Sequence, residues 1–116
     1  MNQGEFRQHL ELYRQSADRE AAERKDPHLV FERLRSLYQT FDPAERASAD
    51  AVFSEWALAE DEGVRFDALA LIDELKIVTA GPALETLVLR LGTQDTPGAP
   101  YEVKKVERIL KDLAGR

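Results

Sequence analysis

The spacing of the apolar residues, which recur every three or four positions along most of the chain, limits the possible folds more than any other feature. That spacing places apolar side chains on one face of an α-helix. Phe6, Leu10 and Tyr13 begin the pattern, and Val106 and Leu110 belong to its last stretch. No segment alternates apolar and polar residues for long enough to indicate a β-strand. The pattern therefore predicts an all-α fold.

Prolines mark several of the places where the predicted helices begin. Proline suits the first turn of a helix, because its φ is already fixed there and its missing amide would lack a partner anyway. Asp26-Pro27 and Asp42-Pro43 each place an N-capping aspartate before the proline, and Gly81-Pro82 and Ala99-Pro100 mark two further starts. The predicted helices are 4–24, 27–41, 43–60, 63–78, 82–92 and 100–114.

The length and composition are those of one globular domain. The chain has 116 residues, 43% of them hydrophobic and 33% charged, so we expect a single domain over residues 1–116. It contains no cysteine, which excludes disulfides and thiolate chemistry. The N-terminus has no secretory pattern, and no apolar run approaches the roughly 20 residues that cross a bilayer. We therefore expect a cytoplasmic protein without membrane contact.

The predicted helices repeat at a nearly constant interval. Pro43 and Pro82 are 39 residues apart, and the second helix of each predicted pair begins near 27, 63 and 100. In the middle pair, Asp61 is followed by Val64-Arg65. This arrangement resembles HEAT repeats, in which an aspartate turn and a Val-Arg pair open the second helix. The resemblance implies three antiparallel helix pairs, arranged as a HEAT-like α-solenoid or a compact helical bundle, and it implies no particular activity.

Five residues at helical spacing are the predicted core. Trp56 lies on the apolar face of the third helix, and we expect it to be buried with Leu71, Leu75, Leu87 and Val106. The fourth helix has a second apolar face, which includes Phe66 and predicts packing on two sides. The loop from Gly92 to Ala99 is either a recognition loop or a plain connector.

Negative charge is concentrated in one part of the chain. The net charge is −6, a sign that disfavours nucleic acid as a partner. Residues 55–74 contain seven acids and a single base, Arg65, so this segment carries the whole net charge. It is either a solvated helix junction or a docking surface for a basic protein. The predicted partner-binding residues are Glu60, Asp61, Glu62, Asp67, Asp73 and Glu74.

Residues that would support catalysis or metal binding are few. Glu5 and His9 share one helix face, and His28 stands at the start of the next helix, so the three could hold a metal, but we favour an ordinary surface contact between Glu5 and His9. There is no glycine-rich phosphate loop and no nucleophile elbow around any serine. We therefore predict no catalytic residue, metal or cofactor, and expect the chain not to be an enzyme.

In size, helical content and acidity the chain resembles small bacterial immunity proteins, which neutralise a toxin. This resemblance implies a non-catalytic domain whose carboxylates occlude the active site of a basic toxin. The alternative is an adaptor or regulatory scaffold whose groove holds a peptide or helix of a pathway partner.

Overall fold

The computed structural model describes residues 2–115, and within them the regular structure is entirely helical. A single 3-10 turn, Val78–Ala80, precedes the fifth helix of this part of the chain. The all-α prediction is confirmed, and none of the described helices is both long and apolar enough to cross a membrane. The helices are α1 (Gln3–Arg24), α2 (Leu29–Gln39), α3 (Pro43–Trp56), α4 (Glu62–Leu75), α5 (Gly81–Gly92) and α6 (Ala99–Ala114).

Side chains and backbone turns explain where the helix ends differ from the predicted ones. The backbone N–H of His28 donates to Asp26 Oδ1 at 3.0 Å, so the chain turns there and α2 begins at Leu29. Lys76 adopts a left-handed backbone conformation with φ 56°, which ends α4 at Leu75 rather than at residue 78. Lysine gives no sequence signal for that conformation, which glycine usually occupies.

The chain divides into two compact units, Met1–Val52 and Phe53–Arg116, with α3 contributing to both. In the first unit α1 and α2 pack antiparallel. Arg33 of α2 forms an ion pair with Glu20 of α1 at 2.9 Å, and the rings of Phe6 and Phe41 lie 5.4 Å apart. The buried apolar residues of this unit are Phe6, Leu10, Ala17, Leu29, Val30, Leu34, Ala49 and Val52.

In the second unit α6 packs against both α5 and α4. Helices α4 and α6 run in the same direction, because Arg65 pairs with Glu102 near the start of both helices and Asp73 pairs with Arg108 further along them. Partners in these two contacts are 37 and 35 residues apart in sequence. This spacing is close to the predicted repeat, whose assignment to the HEAT type stays a prediction.

Four of the five predicted core residues are buried, namely Trp56, Leu71, Leu87 and Val106. The prediction for Leu75 is wrong, because this residue ends α4 and is only half-buried, while Ile77 after the turn takes the buried position.

The second apolar face predicted for α4 is not fully packed. Phe66 is 38% exposed, and its ring lies beneath the cationic groups of Arg65 and Lys105, at 5.5 and 5.3 Å. Long basic side chains therefore cover part of this ring where an apolar helix face was expected.

Candidate functional site

The second unit contains a cleft of about 670 Å³. It lies between the segment 58–62, the end of α5, the loop 93–98 and the start of α6. That volume falls within the roughly 300–1,000 Å³ typical of ligand pockets. Two sequence features that were considered separately, the acidic segment and the candidate recognition loop, therefore meet at one concave surface.

The lining of the cleft includes both apolar and acidic side chains. We call the apolar lining residues Leu58, Leu87 and Leu91 the floor, and the acidic lining residues Glu60 and Glu62 the wall. The two floor residues from α5 are each only 3% exposed, whereas both wall glutamates are exposed. The loop supplies the remaining polar lining, Gln94, Thr96 and Gly98.

A nearly buried ion pair lies beside this floor. Arg65 Nε donates to Glu102 Oε2 at 2.6 Å, and Arg65 Nη2 donates to Glu102 Oε1 at 2.9 Å. The two side chains are only 13% and 7% exposed. The hydrogen bond to Glu102 raises the pKa of Arg65 above its ordinary value, against the opposing effect of burial. Arg65 therefore stays positively charged, and its charge is paired with Glu102 within the cleft.

Two arginines also hold the backbone of the acidic wall. Arg65 Nη1 donates to the carbonyl oxygens of Ala59 and Glu60, at 3.1 and 3.4 Å, and Arg90 Nη1 donates to that of Leu58 at 3.2 Å. These carbonyl groups follow the end of α3, where the amide partners of a helix run out. Helix α3 stops at Trp56 instead of continuing to residue 60, and the arginines of α4 and α5 satisfy the carbonyls that are left.

Five of the six predicted partner-binding acids lie at or beside the two ends of α4, which are roughly 16 Å apart at a rise of 1.5 Å per residue. Glu60 and Glu62 line the cleft, while Asp61 between them caps α4 by accepting from the Val64 N–H at 3.1 Å. At the other end Asp73 contacts Arg108 at 3.4 Å and Lys76 at 3.7 Å. Asp67 is half-buried in mid-helix and Glu74 is exposed near the end.

Glu102 is the buried charged residue of the site that sequence reasoning missed. It is 6% exposed and shares a stripe of α6 with the buried residues Ala99, Val106, Ile109 and Leu113. A glutamate in the register of an apolar stripe is the signal that would have found it, because a buried carboxylate needs a charged partner.

The first unit has a smaller cleft of about 350 Å³, which includes Phe6, His9, Phe41 and Glu45. Glu45 belongs to a capping box that spans 42–45, in which the two acids accept each other's backbone N–H at 2.8 and 3.0 Å. Over residues 2–115, no group of three or more histidines, aspartates and glutamates is arranged to hold a metal ion.

The larger cleft offers several kinds of contact to a ligand. Its lining contains carboxylates, guanidinium groups, one amide, one hydroxyl and apolar carbon. Such a surface suits packing, hydrogen bonding and charge pairing. Comparison with known protein families, with curated proteins and with solved structures finds no match to this chain.

Proposed function

We propose that this chain is a non-catalytic protein-binding domain and that the cleft of the second unit holds its partner. The observation that carries the proposal is the combination, in one concavity, of an apolar floor, an acidic wall and a polar loop. Protein interfaces concentrate binding energy in pockets of this kind, where an apolar centre is surrounded by a polar rim.

The charge of the cleft favours a basic partner. Arg65 and Glu102 neutralise each other, which leaves Glu60 and Glu62 against Arg90, and Asp61 adds a further negative charge beside the wall. The whole chain carries −6, so a positively charged protein is attracted before contact.

Two forms of this function remain as proposals. In the immunity form, the exposed run Glu60, Asp61 and Glu62 enters the basic groove of a toxin, and Asp67, Asp73 and Glu74 extend the contact along α4. In the adaptor form, the cleft holds a peptide or helix of a pathway partner. The concave shape of the site favours the adaptor form, and the exposed acidic run favours the immunity form.

A substitution at Gly98 tests whether the cleft is the docking site. A Cβ added at Gly98 has no heavy atom within 4 Å, and its φ of −84° is accessible to any residue, so the backbone at this position accepts a side chain and Gly98→Phe adds a ring to the lining of the cleft. Gly92→Phe is the matched control, because a Cβ there is equally unobstructed and Gly92 does not line the cleft.

The probe is a phage library of random dodecapeptides selected against the wild-type protein. We expect enriched peptides to lose at least about tenfold in affinity for Gly98→Phe, the scale of one well-packed contact, and to bind Gly92→Phe normally. The proposal fails if no peptide is enriched, or if the enriched peptides bind both variants equally.

A further inference from the structure

Resting on that function, we infer that the partner inserts one long basic side chain, a lysine or an arginine, into the cleft. Its aliphatic part lies on the floor formed by Leu58, Leu87 and Leu91, and its cationic head reaches the wall formed by Glu60 and Glu62. We thereby specify which type of residue anchors the partner, in addition to the positive charge of the partner's surface.

The mixture of carbon and carboxylate in the lining selects an amphipathic side chain. Lysine and arginine pack their methylene stems on apolar surface while the charged end meets polar groups. A purely apolar side chain would take water away from Glu60 and Glu62 without replacing its hydrogen bonds. A carboxylate side chain would meet like charge at the same wall.

Arg65 is already engaged, so it does not offer an equivalent site for an acidic group. It has five N–H donors and directs its Nε, Nη2 and Nη1 atoms to Glu102, Ala59 and Glu60. An acidic ligand would have to break these contacts, whereas a basic one leaves them in place. Arg90 donates through Nη1 to the carbonyl oxygen of Leu58, and its single positive charge is outnumbered by the two wall glutamates.

The same contacts hold the backbone of the wall in position before binding. Arg65 donates to the carbonyl oxygen of Glu60, and Asp61 anchors the backbone of the same turn to α4. A backbone that is ordered before binding lowers the entropy lost on binding.

The test titrates the ¹⁵N-labelled protein with blocked amino acids, followed by NMR. The probes are the N-acetyl, N-methylamide derivatives of lysine and arginine, with those of norleucine and glutamate as uncharged and acidic comparisons. We expect the two basic derivatives to shift the amides of 58–62 and 94–102, with dissociation constants in roughly the millimolar range.

Two double variants with the same change in charge test whether the wall binds the basic group. Glu60→Gln with Glu62→Gln should lower the affinity for the lysine derivative by about 2- to 30-fold, the combined effect of losing two exposed charge pairs. Glu85→Gln with Glu107→Gln removes the same total charge from exposed positions outside the cleft and should leave the affinity unchanged.

Equal binding of norleucine and lysine would overturn the inference, as would equal effects of the two double variants or shifts confined to other residues. Each of these outcomes is separate from the peptide selection. If the cleft binds peptides through an apolar side chain, the proposed function stands and this inference is wrong. If the cleft binds the lysine derivative but no peptide, the proposed function is wrong.

Discussion

Removing one partner of the Arg65–Glu102 ion pair should strongly destabilise the second unit. Glu102→Gln is the appropriate perturbation, because it keeps the size and shape of the side chain and removes its charge. The guanidinium of Arg65, only 13% exposed, is then left beside a neutral amide.

The degree of burial sets the expected magnitude. Exposed ion pairs contribute about 0.2–1 kcal/mol, whereas removing one partner of a buried pair costs about 3–5 kcal/mol. Side-chain exposures of 13% and 7% place this pair in the second class. Since the glutamine oxygen still accepts one hydrogen bond, we expect the free energy of unfolding to fall by about 3 kcal/mol, the lower end of the range for buried pairs. That is a large part of the 5–15 kcal/mol typical of a domain.

Guanidinium chloride denaturation followed by Trp56 fluorescence provides the assay, because this single tryptophan is 6% exposed and lies in the second unit. Glu107→Gln, an exposed glutamate on the same helix, is the control and should change stability by no more than about 0.5 kcal/mol.

The double variant Arg65→Met with Glu102→Leu should recover most of the loss, because it leaves no unpaired charge. A deficit of about 1–2 kcal/mol should remain, because the carbonyls of Ala59 and Glu60 lose their donor. A loss below 1 kcal/mol for Glu102→Gln would refute this reasoning and place the pair among ordinary surface contacts.

Two further predictions concern the core and the first unit. In denaturation experiments, Leu71→Ala should lower the free energy of unfolding by about 2–5 kcal/mol, and Leu75→Ala should lower it distinctly less. The reason is that Leu71 is fully buried and Leu75 is half-buried. Equal losses would contradict the placement of Leu75 at the end of α4. Burial, together with the hydrogen bond that Tyr38 donates to Asp50 at 2.9 Å, raises the pKa of Tyr38 from 10.0 to about 12. The neutral phenol therefore stabilises the fold below pH 10, and this contribution is lost as the pH rises through about 12. The difference in tyrosinate absorbance between wild type and Tyr38→Phe should show a midpoint near 12, and a midpoint at the ordinary value of 10 would contradict the burial argument.

Helical periodicity and capping signals were sufficient to predict the number of helices and most of their positions. They were sufficient because each helix buries a stripe at 3.6-residue spacing, a property of local sequence. Some of the ends that were missed involve groups distant in sequence, and others depend on a local backbone conformation. Helix α3 stops at Trp56, and arginines from α4 and α5 satisfy the carbonyls that follow it, while Lys76 takes a backbone conformation that its sequence does not signal.

The candidate site was predictable only in parts. Glu60 and Glu62 stood out by charge and the loop by composition, yet nothing in their spacing showed that they share a cleft. Asp73 stood out equally, and in the structure it contacts Arg108 and Lys76. Sequence shows which residues are charged, whereas the packing of α6 beside α4 decides which of them have partners.

The most direct test of the proposed docking site is an amide shift map of the ¹⁵N-labelled protein saturated with the tightest peptide from the selection. We expect the largest shifts in 58–62 and 94–102, two segments of the second unit that line the cleft and are separated in sequence. Largest shifts within residues 2–52 would contradict it, because the partner would then bind the first unit and leave the cleft empty.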